Sequence, residues 1–232
     1  MIILGMDTSN DTLGVSLWRD QSVIGEIVTN LKKNHSIRLL PAIADLMEAC
    51  DLAPQDLDKI AVAQGPGSYT GLRIGVTVAK TMAWDLKIPL VGVSSLALMA
   101  QNGRFFDGLV VPVMDARRGN VYAGIYEANG ETVIVKQADV HLSFAELLMN
   151  LAEKDAQDVL FIGDSIANFK TEIKMALGER AVLAGEALCY PRPAFLGELA
   201  HLDTGVPAHT FVPTYLKLAE AESKWLEANQ DV

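Results

Sequence analysis

The sequence predicts an α/β protein of two lobes, each built from the same βββαβα run of elements, with the second lobe reduced. Short runs rich in β-branched residues alternate with amphipathic stretches of helical period along most of the chain, the pattern of mixed sheet and helix layers. The order of those runs is also given twice. Asp7 closes an apolar run from Ile2 to Met6, and Asp115 closes another from Leu109 to Met114, each preceded by Met. In both halves a second strand follows after a short polar turn, then a third strand, an amphipathic helix and a further apolar strand. Self-similarity on this scale marks a duplicated unit, and two related halves offer a cleft between them.

Taken in order, residues 2–8, 13–18 and 23–29 read as strands, and the turn residues Asn10-Asp11 and Asp20-Gln21 suit tight antiparallel hairpins. A helix is expected from about Ser36, read as its N-cap, to Cys50, with Leu39, Leu40, Ile43, Leu46 and Met47 at helical spacing and Pro41 near its first turn. Residues 60–63 read as a buried strand, 68–86 as a long helix, 90–93 as a strand, and a helix begins near Ser94. The polar stretch Gln101-Asn102-Gly103-Arg104 is the expected boundary, giving lobes of 1–103 and 104–232. In the second half, strands are expected at 109–115, 120–126, 132–139 and 159–162, with helices at 143–153 and 165–177. Residues 185–212 carry Pro191, Pro193, Gly205 and Pro207 around one short helix, and a final helix over about 218–228 is expected to pack back on the first lobe.

Three antiparallel strands followed by helix, strand and helix, given twice, is the arrangement of the actin, Hsp70 and sugar-kinase superfamily. Half of the 232 residues are hydrophobic, so the chain is globular. The 29 acidic and 19 basic residues give a formal charge of −10, which opposes non-specific contact with a phosphate backbone. Cys50 and Cys189 lack any CxxC spacing, as expected of reduced thiols. No apolar run reaches the ~18 residues of a membrane span, and no charged segment followed by an apolar one opens the chain. A cytoplasmic location without membrane attachment is the expectation.

Several motifs bear on chemistry. Gly65-Pro66-Gly67-Ser68-Tyr69-Thr70-Gly71-Leu72-Arg73 follows a strand and opens a helix, where free N–H groups can hold an anion. It is neither a Walker A loop nor a dinucleotide fingerprint, and a tight turn capped by Ser68 is the plainer reading. In the helix after it, Gly71, Gly75, Ala79 and Ala83 recur every fourth residue with Ile74, Val78 and Met82 beside them. That stripe suits either close packing on the chain's own first lobe or a subunit interface. Arg73, Lys80 and Lys87 form a basic edge. Asp7, Thr8 and Ser9 at the first hairpin either orient a nucleotide phosphate, or its metal through water, or satisfy backbone groups of the turn. Gly163-Asp164-Ser165-Ile166-Ala167, with Asp203 and His209 downstream, imitates a nucleophile elbow but lacks its second glycine. His35, His141, His201 and His209 show no metal-ligand spacing, so neither a metal site nor a catalytic constellation is expected.

With GPGSYTG at 65–71, Asp7-Thr8-Ser9, His35-Ser36, Leu39-Leu40-Pro41, Gly92-Val93-Ser94-Ser95-Leu96, Asp115-Ala116-Arg117 and Tyr215-Leu216-Lys217, the chain closely resembles the TsaB (YeaZ) family. The resemblance covers the whole first half and weakens between about 140 and 210. It implies a subunit of the machinery that makes threonylcarbamoyladenosine at the adenosine 3′ of the anticodon in tRNAs reading codons that begin with A. In that family the catalytic paralogue, TsaD, binds metal through a segment of pattern Asn-His-x-Glu-Gly-His. Laid on this chain, that pattern falls with its histidines at Ser95 and Met99 and its glutamate at Ala97. The resemblance therefore implies a non-catalytic partner that pairs with TsaD through first-lobe helices, is joined by the ATPase TsaE, meets tRNA only in the complex and self-associates weakly when alone. It makes Leu39, Ile43 and Met47 interface candidates on the earlier helix, and Gly71, Ile74, Gly75, Val78, Ala79, Met82 and Ala83 on the later one. No resident cofactor is expected. A nucleotide in the interlobe cleft or at the complex interface, and glycoprotease-like or phosphotransferase activity on the same fold, stay open as alternatives.

Overall fold

A computed structural model of the chain describes residues 1–31, 34–153 and 157–217. Its core is a pair of five-stranded mixed sheets. In the first, β1 (Ile2–Asp7), β2 (Leu13–Arg19), β3 (Ser22–Thr29), β4 (Lys59–Gly65) and β5 (Leu90–Ser94) lie in the order β3-β2-β1-β4-β5. In the second, β6 (Leu109–Asp115), β7 (Asn120–Ala128), β8 (Val133–Ser143), β9 (Val159–Ile162) and β10 (Ala181–Leu183) lie in the order β8-β7-β6-β9-β10. The two are the same arrangement: an antiparallel meander of three strands, then two strands added parallel to the first. This is the duplicated topology expected of the actin-like superfamily. β10 was not foreseen, because three residues between polar turns carry too little alternation to register.

Strand alternation sends the first sheet's side chains to two cores. Leu4, Met6, Ile60 and Val62 point to one face, under α1 (Leu39–Ala49) and α2 (Tyr69–Leu86), while Ile3, Ala61, Ala63 and Val91 point to the other. That second face is covered by α6 (Ala194–Ala200). Close approach there depends on glycine: a Cβ on Gly5 would lie 2.9 Å from Leu196 Cβ, and one on Gly197 2.4 Å from the Trp18 ring. Lys59, buried in this corner, donates from Nζ to the carbonyls of Ala200 (3.0 Å), His201 (3.1 Å) and Asp203. An ammonium is stabilising at the carbonyl end of a helix. The return to the first lobe is thus made by α6; the helix expected at 218–228 lies outside the described residues.

Helix starts follow capping chemistry. Ser68 Oγ accepts from Gly71 N–H, Ser94 Oγ from Leu96 and Ala97 N–H, and Ser143 Oγ from Glu146 N–H, opening α2, α3 (Ser95–Ala100) and α4 (Phe144–Ala152). Ser36 is not the cap expected of it. It sits in a short 3-10 turn, its own N–H and hydroxyl bonded to Asn34, and α1 starts at Leu39 without a side-chain cap. In the second lobe a 3-10 turn precedes α5 (Lys170–Leu177), which shortens the helix expected at 165–177.

The decisive contact is between α2 and the β1–β2 turn. Cβ atoms added at Gly71 and Gly75 would fall 2.1 Å from the Thr8 carbonyl oxygen and 2.5 Å from Thr8 Oγ1, and Thr8 Oγ1 donates to Gly71 O at 2.7 Å. Ala79 and Ala83 continue this buried face into the core. The small-residue stripe is therefore internal packing.

α3 fills the seam between the lobes. Leu98 joins the first sheet's core, whereas Leu96, Met99 and Ala100 pack with Val110, Met114, Tyr126 and Leu160 of the second. A polar clasp crosses the same seam: Asp139 on β8 accepts from Tyr126 OH (2.5 Å) and from Ser94 Oγ (2.5 Å). Burial raises the Asp139 carboxyl above the usual carboxylate range, opposed by those two hydrogen bonds, and burial followed by the Asp139 charge raises the Tyr126 phenol.

Two outcomes follow from these contacts. Gly75→Leu should destabilise the isolated chain by about 3 kcal/mol, since the added side chain runs into the buried Thr8 and Val62 side chains; thermal unfolding of the lone protein measures it. Asp139 binds its proton more tightly folded than unfolded, so its contribution to stability rises as pH falls through its raised value and declines as pH rises. The unfolding free energy of the wild type minus that of Asp139→Asn should accordingly be larger at about pH 5 than at about pH 7.5. Urea titrations of both proteins at the two pH values check the sign.

Candidate functional site

The two hairpin turns that close β1 and β6, and the two loops that follow β4 and β9, meet at a single cleft between the lobes. It encloses about 570 Å³. The first lobe contributes Ser9, Asn10 and Asp11 from its hairpin and Gly67 and Ser68 from its loop. The second contributes Asp115, Ala116 and Arg117, then Asp164, Ser165 and Asn168, at the equivalent positions. Met99, Met114, Tyr122, Cys189, Tyr190, Pro191 and Lys217 complete the walls. Internal duplication thus places like loops on either side of one cavity. Three carboxylates against two cations leave the lining without a surplus of positive charge for a polyphosphate.

Of the three candidate nucleotide residues, only Ser9 reaches this cleft. Asp7 and Thr8 are 1% exposed and serve the turn itself: Asp7 Oδ1 accepts from Ser9 N–H at 2.7 Å, and Thr8 holds α2. The loop from Gly65 to Gly71 is likewise turned inward. Ser68 N–H donates to Ser9 O at 2.7 Å, and a Cβ on Gly67 would meet that oxygen at 2.2 Å. An amide that an anion would have needed is already taken by the neighbouring turn. Burial raises the Asp7 carboxyl, partly offset by its hydrogen bonds to Ser9.

The interface candidates divide by depth. Leu39, Ile43 and Met47 on α1, and Gly71, Gly75, Ala79 and Ala83 on α2, are buried in the chain's own core, so a partner cannot touch them without unfolding the lobe. Ile74, Val78 and Met82 are only partly covered and remain at the surface. Near them, the 3-10 turn before α1 touches α2, and Ile37 (70% exposed) and Leu40 (54%) project from that neighbourhood. These two were legible as apolar residues off the buried stripe of α1, and sequence reasoning passed over them because it favoured the stripe itself.

The hydrolase-like elbow does not assemble. Ser165 Oγ has no hydrogen-bond partner, Asp203 is engaged at the end of α6 with Lys59 and Gly205, and His209 lies in the segment beside α2. Among the described residues no group of three His, Cys, Asp or Glu side chains converges as a metal site. None of the described helices is long and apolar enough to cross a membrane.

Sequence reasoning also missed the role of residues 201–217. They run as a strap along the edge of β5, where Leu90 and Val206 exchange backbone hydrogen bonds of 3.1 and 2.9 Å, and on to the cleft. Only irregular, proline-bearing sequence was visible there, with no period to betray pairing.

Comparison with known proteins agrees with this geometry. Residues 22–225 match the family model described as TsaD: tRNA N6-adenosine threonylcarbamoyltransferase. The tRNA threonylcarbamoyladenosine biosynthesis protein TsaB of Bacillus subtilis is 49% identical over 99% of this chain and 100% of its own length. The protein of the same name in Escherichia coli is 32% identical over 63% of the chain and 68% of its own length. Among solved structures, YeaZ from Pseudomonas aeruginosa superposes with a TM-score of 0.80 at 28% identity, covering 93% of this chain and 99% of that one. With identity at that level running the full length of both chains, and the same two-lobed fold, the chain belongs to the TsaB family of tRNA threonylcarbamoyladenosine biosynthesis proteins.

Proposed function

We propose that this protein is the non-catalytic subunit of the complex that makes N6-threonylcarbamoyladenosine in tRNA, and that it docks onto and activates a TsaD paralogue. The observation that carries this reading is the combination of a TsaD-type family match with the content of α3. At the positions where the catalytic paralogue's metal-holding segment falls, this chain has Ser95, Ala97 and Met99. Ser95 is fully buried with its Oγ accepting from Gly65 N–H at 3.2 Å, the Ala97 side chain has no atom able to bind a metal, and Met99 packs in the seam core. A fold that spends these positions on packing keeps the scaffold of the enzyme without its chemistry.

The docking surface in this reading is the outer flank of α2 and the entry to α1: Ile74, Val78 and Met82 with Ile37 and Leu40. Partly buried aliphatics ringed by the polar residues Thr70, Thr77 and Thr81 have the make-up of an interface core and rim. In this reading the same surface, left bare, would let the lone chain self-associate weakly. TsaE joins the assembled pair, tRNA is held by the complex and not by this acidic chain, and the work is done in the cytoplasm. If a nucleotide belongs to the complex, the interface between subunits suits it better than the Asp7-Thr8-Ser9 turn, where Asp7 and Thr8 are buried and Asp7 Oδ1 and Thr8 Oγ1 are already engaged.

Val78→Glu places a carboxylate on this flank, at a partly exposed position on the edge of the core. The variant should melt near the wild-type temperature and bind TsaD at least tenfold more weakly, which is about 1.4 kcal/mol. Calorimetric titration with the TsaD paralogue from the same cell reads the affinity, and threonylcarbamoyladenosine formation by the reconstituted complex should fall in parallel. Undiminished binding by a folded Val78→Glu protein would remove α2 from the interface.

A further inference from the structure

The last three described residues of the strap, Tyr215-Leu216-Lys217, bridge the two lobes. Its upstream part is fixed to the first lobe: Thr214 N–H donates to Gln64 O at 2.8 Å, and Lys80 Nζ donates to Phe211 O at 2.6 Å. Tyr215 then lies against the start of α2, its ring 5.1 Å from that of Tyr69, and its hydroxyl accepts from Arg73 Nε at 3.3 Å. Arg73 in turn stacks over the Tyr69 ring at 4.3 Å. Two residues on, Lys217 reaches across and donates from Nζ to the carbonyl of Ala116, at 3.1 Å, in the hairpin turn of the second lobe. Lys217 and Ala116 both line the cleft.

Elsewhere the lobes are joined by covalent crossings and by the seam. The crossing near residues 101–104 is tied to the return near 188–190, where Asn102 Nδ2 donates to the carbonyls of Leu188 and Tyr190 at 2.8 and 2.7 Å. Arg104 adds a two-pronged contact with Glu198 of α6, both at 3.0 Å. Two crossings fastened together, beside the packed α3 seam, form the joint about which a hinge motion would open the cleft. A charged donor on a carbonyl at the cleft is placed to oppose that rotation.

The geometry points to a latch: Tyr215-Leu216-Lys217 couples the N-terminal end of α2 to the second lobe, so that whatever occupies Tyr69 and Arg73 sets how far the cleft opens. Displacing Tyr215 from α2 withdraws Lys217 from Ala116, and the lobes separate about the hinge. Because the latch acts within the free chain, it stands or falls independently of the docking surface proposed above.

The test is a distance measurement by double electron–electron resonance on the full chain. Spin labels go at Glu48→Cys on α1 and Glu172→Cys on α5, both exposed, with Cys50→Ala and Cys189→Ala to clear the background. Lys217→Met should shift the interlobe distribution to longer distances, while Lys217→Arg, which keeps a cationic donor, should restore the closed distribution. Tyr69→Ala should open the cleft as well, although it leaves Lys217 and Ala116 intact. Small-angle scattering of the unlabelled variants should give a larger radius of gyration for the Met and Ala proteins at unchanged melting temperature. Distributions that coincide in wild type and Lys217→Met would overturn the latch, as would opening by Lys217→Arg equal to that by Lys217→Met. A Tyr69→Ala protein as closed as wild type would overturn the coupling to α2.

Discussion

The contact between Thr8 and the glycines of α2 governs the architecture of the first lobe. Gly71 and Gly75 let the helix backbone settle against the β1–β2 turn, and Thr8 closes the contact with a hydrogen bond to the Gly71 carbonyl. Two glycines inside a helix each give up about 1 kcal/mol relative to alanine, and burial of Leu72, Val76, Ala79 and Ala83 on the same side offsets that loss. The contact also orients what lies opposite. With the small face committed to the sheet, Ile74, Val78 and Met82 are left at the flank and Arg73, Thr77 and Trp84 at the surface. The same contact draws the Gly67-Ser68 loop onto Ser9, which fills the first hairpin from within.

Duplication then determines what the cleft can be. Equivalent turns and loops converge from both sides, yet they have diverged in use. The first pair, around Ser9 and Ser68, is bonded to itself, whereas the second, around Ala116 and Ser165, keeps a free hydroxyl and a carbonyl taken by Lys217. Between them, α3 supplies Leu96, Met99 and Ala100 to the seam.

Periodicity and capping made most of the fold legible. Strands of five or more residues and the helices opened by Ser68, Ser94 and Ser143 were readable because alternation and side-chain caps are local signals. β10 and the strap were not, since their pairing depends on partners far away in the chain, such as Phe161 for Ala184 and Leu90 for Val206. The spacing of the α2 stripe leaves internal packing and a subunit interface equally open, and the buried positions of Gly71, Gly75, Ala79 and Ala83 decide for the first. Spacing shows that a helix face admits close approach; which backbone approaches it is a tertiary fact. For the same reason the sequence does not show that Asp7 and Thr8 are buried, with Asp7 Oδ1 holding the turn and Thr8 Oγ1 bonded to α2.

The commitment of α2's small face to its own lobe is most directly tested by thiol labelling at Ala83→Cys, a small change at a fully buried point of the stripe. In the free, native chain, with Cys50 and Cys189 replaced by alanine, the new thiol should react with Ellman's reagent only as fast as the protein unfolds, and adding TsaD should not matter. Reaction in the native chain at the rate of the urea-unfolded protein, slowed when TsaD is added, would show that the face lies open in the free chain and is covered by the partner.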